Sequence, residues 1–91
     1  MLTIWEFGAN WCGACKILEP IVADVVKEHH DVILKKVDVD NDENDYCTTY
    51  GVRNLPTLIF DGADKDFSQR VVGTTTKDNI NSIIDKYNNI L

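Results

Sequence analysis

A chain of 91 residues allows one domain and leaves no length for a second, and 44% hydrophobic with 26% charged residues is the balance of a folded chain rather than a disordered one. Fifteen Asp and Glu against nine Lys and Arg give a net charge of −6, and the longest basic run is Lys35-Lys36, which argues against nucleic acid or an anionic membrane as partner. No apolar run approaches the ~20 residues that span a bilayer, and residues 1–6 carry no basic n-region, so a cytoplasmic monomer is expected.

Residues 2–7 (L-T-I-W-E-F) are rich in strand formers and read as a first strand, broken by Gly8-Ala9-Asn10. A helix follows from Cys12 or Gly13. Its apolar residues Ile17, Leu18, Ile21, Val22, Val25 and Val26 fall at helical spacing, Pro20 should kink it, and His29-His30-Asp31 ends it. Residues 32–39 (V-I-L-K-K-V-D-V) read as a buried second strand. Residues 40–50 pass from an acidic stretch into a short helix closed by Gly51. Residues 57–60 form a third strand, Asp61-Gly62 signal a turn that residues 63–65 extend, and residues 67–72 complete a hairpin. One of Thr74, Thr75 and Thr76 caps the last helix, whose apolar face is Ile80, Ile83, Ile84, Tyr87 and Leu91. The order β-α-β-α-β-β-α predicts one α/β domain over residues 1–91. Its mixed four-stranded sheet has helices on both faces, the first two strands parallel through a right-handed crossover and the last two antiparallel.

Three cysteines are too few for a disulfide scaffold. Cys12 and Cys15 form a C-x-x-C, and Cys47 stands alone. A C-x-x-C is either half of a zinc site or a dithiol that opens and closes as a disulfide. Zinc needs a second pair of ligands. Only Cys47, His29 and His30 remain, and adjacent helical histidines point about 100° apart. The metal-free redox reading is preferred, and its position supports it. Cys12 falls at a helix N-terminus, where free N–H groups and the helix dipole stabilise a thiolate. Cys15 lies one turn deeper, at the spacing that lets two side chains meet. Cys12 is therefore expected to be exposed and to attack, and Cys15 to resolve. The acidic run from Asp38 begins with calcium-loop spacing, but Glu43 stands where glycine is required and Thr49 where the last glutamate belongs, so a solvated loop is preferred.

The segment from Glu6 to Lys16 (E-F-G-A-N-W-C-G-A-C-K) resembles the active-site segment of the thioredoxin family, where W-C-G-P-C-K is typical. Pro20, Val37-Asp38-Val39-Asp40, the run Y-G-V-R-N-L-P-T-L from Tyr50 to Leu58, and Val72-Gly73 resemble further family motifs in the same order. The resemblance covers essentially the whole chain. It implies a thioredoxin-like fold and a protein disulfide reductase with no cofactor of its own. Its partners would be disulfide-containing proteins, with an NADPH-dependent flavoenzyme, thioredoxin reductase, as electron donor. Two rival readings are a glutaredoxin-like protein reduced by glutathione and a non-catalytic binding or scaffold protein.

The resemblance also implies roles for particular residues. Glu6 shares a strand face with Leu2 and Ile4 and so points inward. It stands where the family's buried Asp relays a proton to and from the resolving cysteine; the alternative is an edge carboxylate in water. Lys36 stands where a family lysine pairs with that acid; the alternative is a solvated lysine at a strand end. Pro56 stands at the family's cis-proline, and the backbone of Leu55 would pair with an extended substrate. Trp11, Gly13, Ala14, Leu55, Val72 and Gly73 would complete a weakly polar docking surface, with Trp11 also packing locally. Cys47 reads as a small core residue or, alternatively, a regulatory thiol. Three departures are visible. Ala14 replaces the usual proline. Gly8 replaces an aromatic residue whose space Trp5 would partly fill. The family's N-terminal strand and helix do not precede the first strand, so four strands are expected rather than five.

Overall fold

The computed structural model describes residues 1–91 and forms a single mixed sheet in the order β2-β1-β3-β4. The strands are β1 (Leu2–Gly8), β2 (Val32–Asp38), β3 (Thr57–Gly62) and β4 (Phe67–Val72). Three helices join them: α1 (Gly13–Glu28), α2 (Tyr46–Tyr50) and α3 (Lys77–Asn88). β1 pairs parallel with β2, from Leu2 opposite Val32 to Gly8 opposite Asp38, and antiparallel with β3. β3 and β4 make the antiparallel hairpin. The element order, the parallel β1–β2 pair and the antiparallel β3–β4 hairpin are those read from the sequence; the antiparallel β1–β3 pairing, which joins them into one sheet, is added by the structure. No helix is long and apolar enough to cross a membrane.

The alternation of side chains along β1 divides the core in two. Leu2 and Ile4 face Leu18, Val22 and Val25 of α1 and Ile80, Ile83, Ile84 and Tyr87 of α3, all buried. Trp5 and Phe7 face the other way, with Val37 and Ile59, against Tyr46, Cys47 and Tyr50 of α2. Burial of each large aliphatic or aromatic side chain stabilises by about 1.5–3 kcal/mol, so β1 anchors both layers. Cys47 belongs to the edge of this second layer, partly buried, and burial together with the Asp42 carboxylate pushes its thiol up to about 11.

Local chemistry sets the ends of the elements. Thr76 caps α3 by accepting from the Asn79 N–H at 3.1 Å. The acidic stretch prepares α2: Asp42 accepts from the N–H groups of Tyr46 and Cys47 at 2.9 and 2.8 Å, which satisfies donors that a helix start leaves free. Gly51 closes α2 with φ +64°, a left-handed conformation suited to glycine. The Arg70 guanidinium of β4 then donates to the carbonyls of Tyr50 and Gly51.

The structure differs from the sequence reading in four places. β2 is an edge strand with only Val32 and Val37 buried, because its outer side has no neighbour. Asp61 and Gly62 continue β3, and the chain turns through a short 3-10 helix (Ala63–Lys65) and a left-handed Asp66 at φ +53°. Ile17 is exposed, since the buried stripe of α1 runs through Cys15, Leu18, Val22 and Val25. Leu91 lies past the end of α3 and is exposed.

Gly62 remains in the strand for a packing reason: a Cβ there would overlap the Tyr87 ring. Tyr87 is held in place by its hydroxyl, which donates to Asp64 at 2.8 Å. Gly62→Ala should therefore cost about 1–3 kcal/mol. Urea unfolding would read this as a lower midpoint at unchanged slope, and an unchanged midpoint would refute the assigned contact.

Candidate active site

β1 ends at Gly8, in the middle of the sheet, and the chain turns through residues 9–12 into α1. The turn is closed by the Cys12 N–H donating to the Ala9 carbonyl at 3.2 Å. Cys12 is the N-cap of α1, with extended backbone angles, and its Sγ accepts from the Cys15 N–H at 3.2 Å. Sulfur thus occupies the place that a Ser or Asp oxygen takes in an ordinary helix cap. Cys12 and Cys15 are joined as a disulfide with Cα atoms 5.3 Å apart. No group of side chains is arranged to hold a metal ion.

Cys12 was expected to be exposed and Cys15 buried. The structure gives 8% and 6% exposure, so both are buried in the disulfide form. The physical reason is the cap itself, which turns the Cys12 sulfur onto the helix backbone and its partner. The exposed rim is made by neighbours. Trp11 is 70% exposed, with its indole N–H donating to Asp40 Oδ2 at 2.9 Å, so its local contact is a hydrogen bond at the surface. Gly13 is also exposed, and Ala14 half-buried.

Behind the disulfide, Glu6 is buried at 6% exposure on the α1 face of β1, and its Oε1 has no hydrogen-bond partner. Burial pushes its carboxyl up to about 7; the Lys36 ammonium opposes this shift and the Glu19 carboxylate adds to it. Lys36 is the register partner of Glu6 across the β1–β2 ladder. Its ammonium nevertheless pairs with Glu19 Oε1 at 3.2 Å, on the surface, and not with Glu6. The expected Lys36–Glu6 pair is thus replaced by an exposed Lys36–Glu19 pair, because the long lysine side chain reaches solvent and a partner there at lower desolvation cost.

The Leu55–Pro56 peptide bond is cis. Pro56 is buried, Leu55 and Gly73 are half-buried, and the Pro56 carbonyl accepts from the Gly73 N–H at 2.8 Å. Val72 is exposed and pairs with Thr57, which brings the end of β4 beside the proline loop. A cavity of about 160 Å³ gathers Glu6, Cys15, Lys36 and Pro56, so four residues singled out from the sequence share one space. Glu19 and Lys16 line the same cavity and were not foreseen. Glu19 could have been found from its place one turn beyond Cys15, at i+4 on the same helix face.

The buried carboxyl has a consequence for stability. Between about pH 4.5 and 7 the folded protein holds a proton that the unfolded chain has released, so stability falls as pH rises through that window. The loss is roughly 3 kcal/mol once Glu6 is fully ionised. Denaturant titrations of the oxidised protein should show this decline, and Glu6→Gln should flatten it; a wild-type profile with no decline would refute the assignment.

Comparison with known proteins agrees with these features. The family model described as Thioredoxin matches residues 1–86. A chloroplastic M-type thioredoxin of Zea mays is 38% identical over 84 residues, covering 90% of this chain and 48% of the relative, so the chain spans about half of that protein's length. The thioredoxin of Chlamydia caviae is 38% identical over 88 residues, covering 94% of this chain and 82% of the relative. Among solved structures, a chloroplastic thioredoxin z superposes with a TM-score of 0.84 at 27% identity, over 97% of this chain and 79% of that one. With matching sequence motifs, sheet order and dithiol placement, the chain belongs to the thioredoxin family.

Proposed function

We propose that the protein is a thiol-disulfide oxidoreductase that reduces disulfides of partner proteins through Cys12 and Cys15. The observation that carries this reading is the Cys12–Cys15 disulfide at the N-terminus of α1, with the Cys12 sulfur as cap. In the reduced state that sulfur is a thiolate accepting a charge-assisted hydrogen bond from the Cys15 N–H. The thiolate attacks one sulfur of a partner disulfide, forms a mixed disulfide and releases the other sulfur as a thiolate. Cys15 then attacks Cys12, which re-forms the internal disulfide and frees the reduced partner.

Cys15 must lose its proton for that second step. Glu6, in the same cavity and with its carboxyl near 7, is the proton acceptor in this proposal. Lys36 is a positioning residue, moderating the acidity of Glu6 through its charge. Trp11, Gly13, Ala14, Leu55, Val72 and Gly73 form the proposed docking rim. The backbone at Leu55, ahead of cis Pro56, receives an extended segment of the partner as an added strand. Thioredoxin reductase, an NADPH-dependent flavoenzyme, is the proposed electron donor. The proposed setting is cytoplasmic and the proposed state monomeric; the dithiol role supports a reducing compartment.

Reduction of insulin disulfides tests the reading. The wild-type protein should turn over with NADPH and thioredoxin reductase, and turnover with glutathione alone would favour the glutaredoxin-like alternative. Cys15→Ser should accumulate a mixed disulfide with its partner, and Cys12→Ser should form none. Glu6→Gln should slow release of the reduced partner at neutral pH by about tenfold to a hundredfold; an unchanged rate would remove Glu6 from the mechanism.

A further inference from the structure

On the α2 face of the sheet, away from Glu6, lies a second cavity of about 380 Å³, within the range of about 300–1,000 Å³ that ligand clefts occupy. Its walls are the C-terminal half of β2, Trp5 of β1, and the loop that leads into α2 at Tyr46. The Trp5 and Tyr46 rings pack at 4.8 Å between centroids. Trp5 is only 7% exposed, and its indole N–H has no acceptor in the protein. A buried donor left without a partner is costly, so what the cavity lacks is an acceptor.

Charge narrows the choice. Lys36 is already paired with Glu19 of α1 at 3.2 Å. Three carboxyl groups, those of Asp38, Asp42 and Glu43, then surround the single remaining ammonium of Lys35. Asp38 and Asp42 accept from backbone N–H groups of their own loop, which leaves the exposed Glu43 free to meet a ligand. The surplus of negative charge repels an anion, so the acceptor that Trp5 requires is uncharged and the groups beside it are cationic. A peptide carbonyl flanked by basic side chains meets both conditions. The same wall is the open edge of the sheet: residues 35–38 of β2 have no strand on their outer side, and unpaired backbone there is a template for an extended segment. A second copy of this chain is disfavoured, because it brings its own net charge of −6.

We propose that this cavity and the open edge of β2 bind an extended basic segment of a partner protein. The segment lies beside β2 as an added strand. One of its carbonyls accepts from the Trp5 indole N–H, and its Arg or Lys side chains lie toward Glu43 and Asp38. Lys35, whose ammonium rests over the Trp5 ring at 5.0 Å, is the long flexible side chain that swings aside to admit it. Neither Cys12 nor Cys15 lines the cavity, so its occupation leaves the dithiol free and does not depend on the redox reading.

The probe is the hexapeptide acetyl-R-V-R-V-R-V-amide, titrated into oxidised, 15N-labelled protein at low salt. The Trp5 indole N–H signal and the backbone amides of residues 35–38 should shift together and saturate; no saturable shift overturns the proposal. The acidic twin acetyl-E-V-E-V-E-V-amide should bind at least about tenfold more weakly, and equal binding overturns it. N-methylation of alternate residues of the basic peptide should abolish binding, and retained affinity overturns the added strand. Glu43→Gln should weaken binding about threefold. Trp5→Phe, which keeps a ring and removes the donor, identifies the indole signal and should weaken binding about fivefold; unchanged affinity in both variants overturns the assignment. If Trp5→Phe does not fold, the wild-type titrations and Glu43→Gln decide. A Trp5 shift that follows protein concentration without peptide would assign the edge to a second copy and overturn the proposal as well.

Discussion

The structure depends on the burial of β1 from four sides. It has a strand on each edge and a helical layer on each face, so every side chain from Ile4 to Phe7 is buried. Three of those four residues are apolar and contribute to the core. The fourth is Glu6, for which the same burial is a cost. Because the strand cannot move outward without opening both layers, the carboxyl stays in a low-dielectric site and responds by shifting its acidity toward neutrality. The packing of Leu2, Ile4, Trp5 and Phe7 holds the acid in the cavity it shares with Cys15.

A second economy lies at the start of α1. One atom, the Cys12 sulfur, both terminates the helix and carries the proposed chemistry. Ordinary caps are inert oxygen atoms, and their worth is purely structural. Here the strength of the cap changes with redox state, since a thiolate accepts a stronger hydrogen bond than a disulfide sulfur. Helix stability and thiol reactivity are linked through that single N–H···S contact.

Much of this was legible in the sequence. The period-two run at the start of the chain, the helical spacing of Leu18, Val22 and Val25, and the threonine cap of α3 are local signals, and local signals survive translation into structure. The C-x-x-C at a strand-to-helix boundary identified the dithiol, and alternation along β1 turned Glu6 inward. What could not be read depends on neighbours distant in sequence. V-I-L-K-K-V-D looks like a central strand, yet it lies at an edge because nothing flanks it on one side. Asp61-Gly62 has turn chemistry, but pairing with Phe67 and Ser68 keeps it in the sheet. The resemblance paired Lys36 with Glu6, its register partner, but the Lys36 ammonium follows the Glu19 carboxylate, which only the fold brings within reach.

The open side of β2 has a further consequence. Its exposed residues are Ile33, Lys35, Lys36 and Asp38, three of the four charged. A free strand edge is a template for another strand, and charge along it is a common deterrent to stacking between chains. Lys35 lies over the Trp5 ring at 5.0 Å and Lys36 on Glu19, so both cations are held at the edge rather than drifting from it. The lysine whose charge opposes the shift of the buried acid is therefore also part of the charge along this edge. Any change at Lys36 alters the charge along the strand edge and the charge beside Glu6 together.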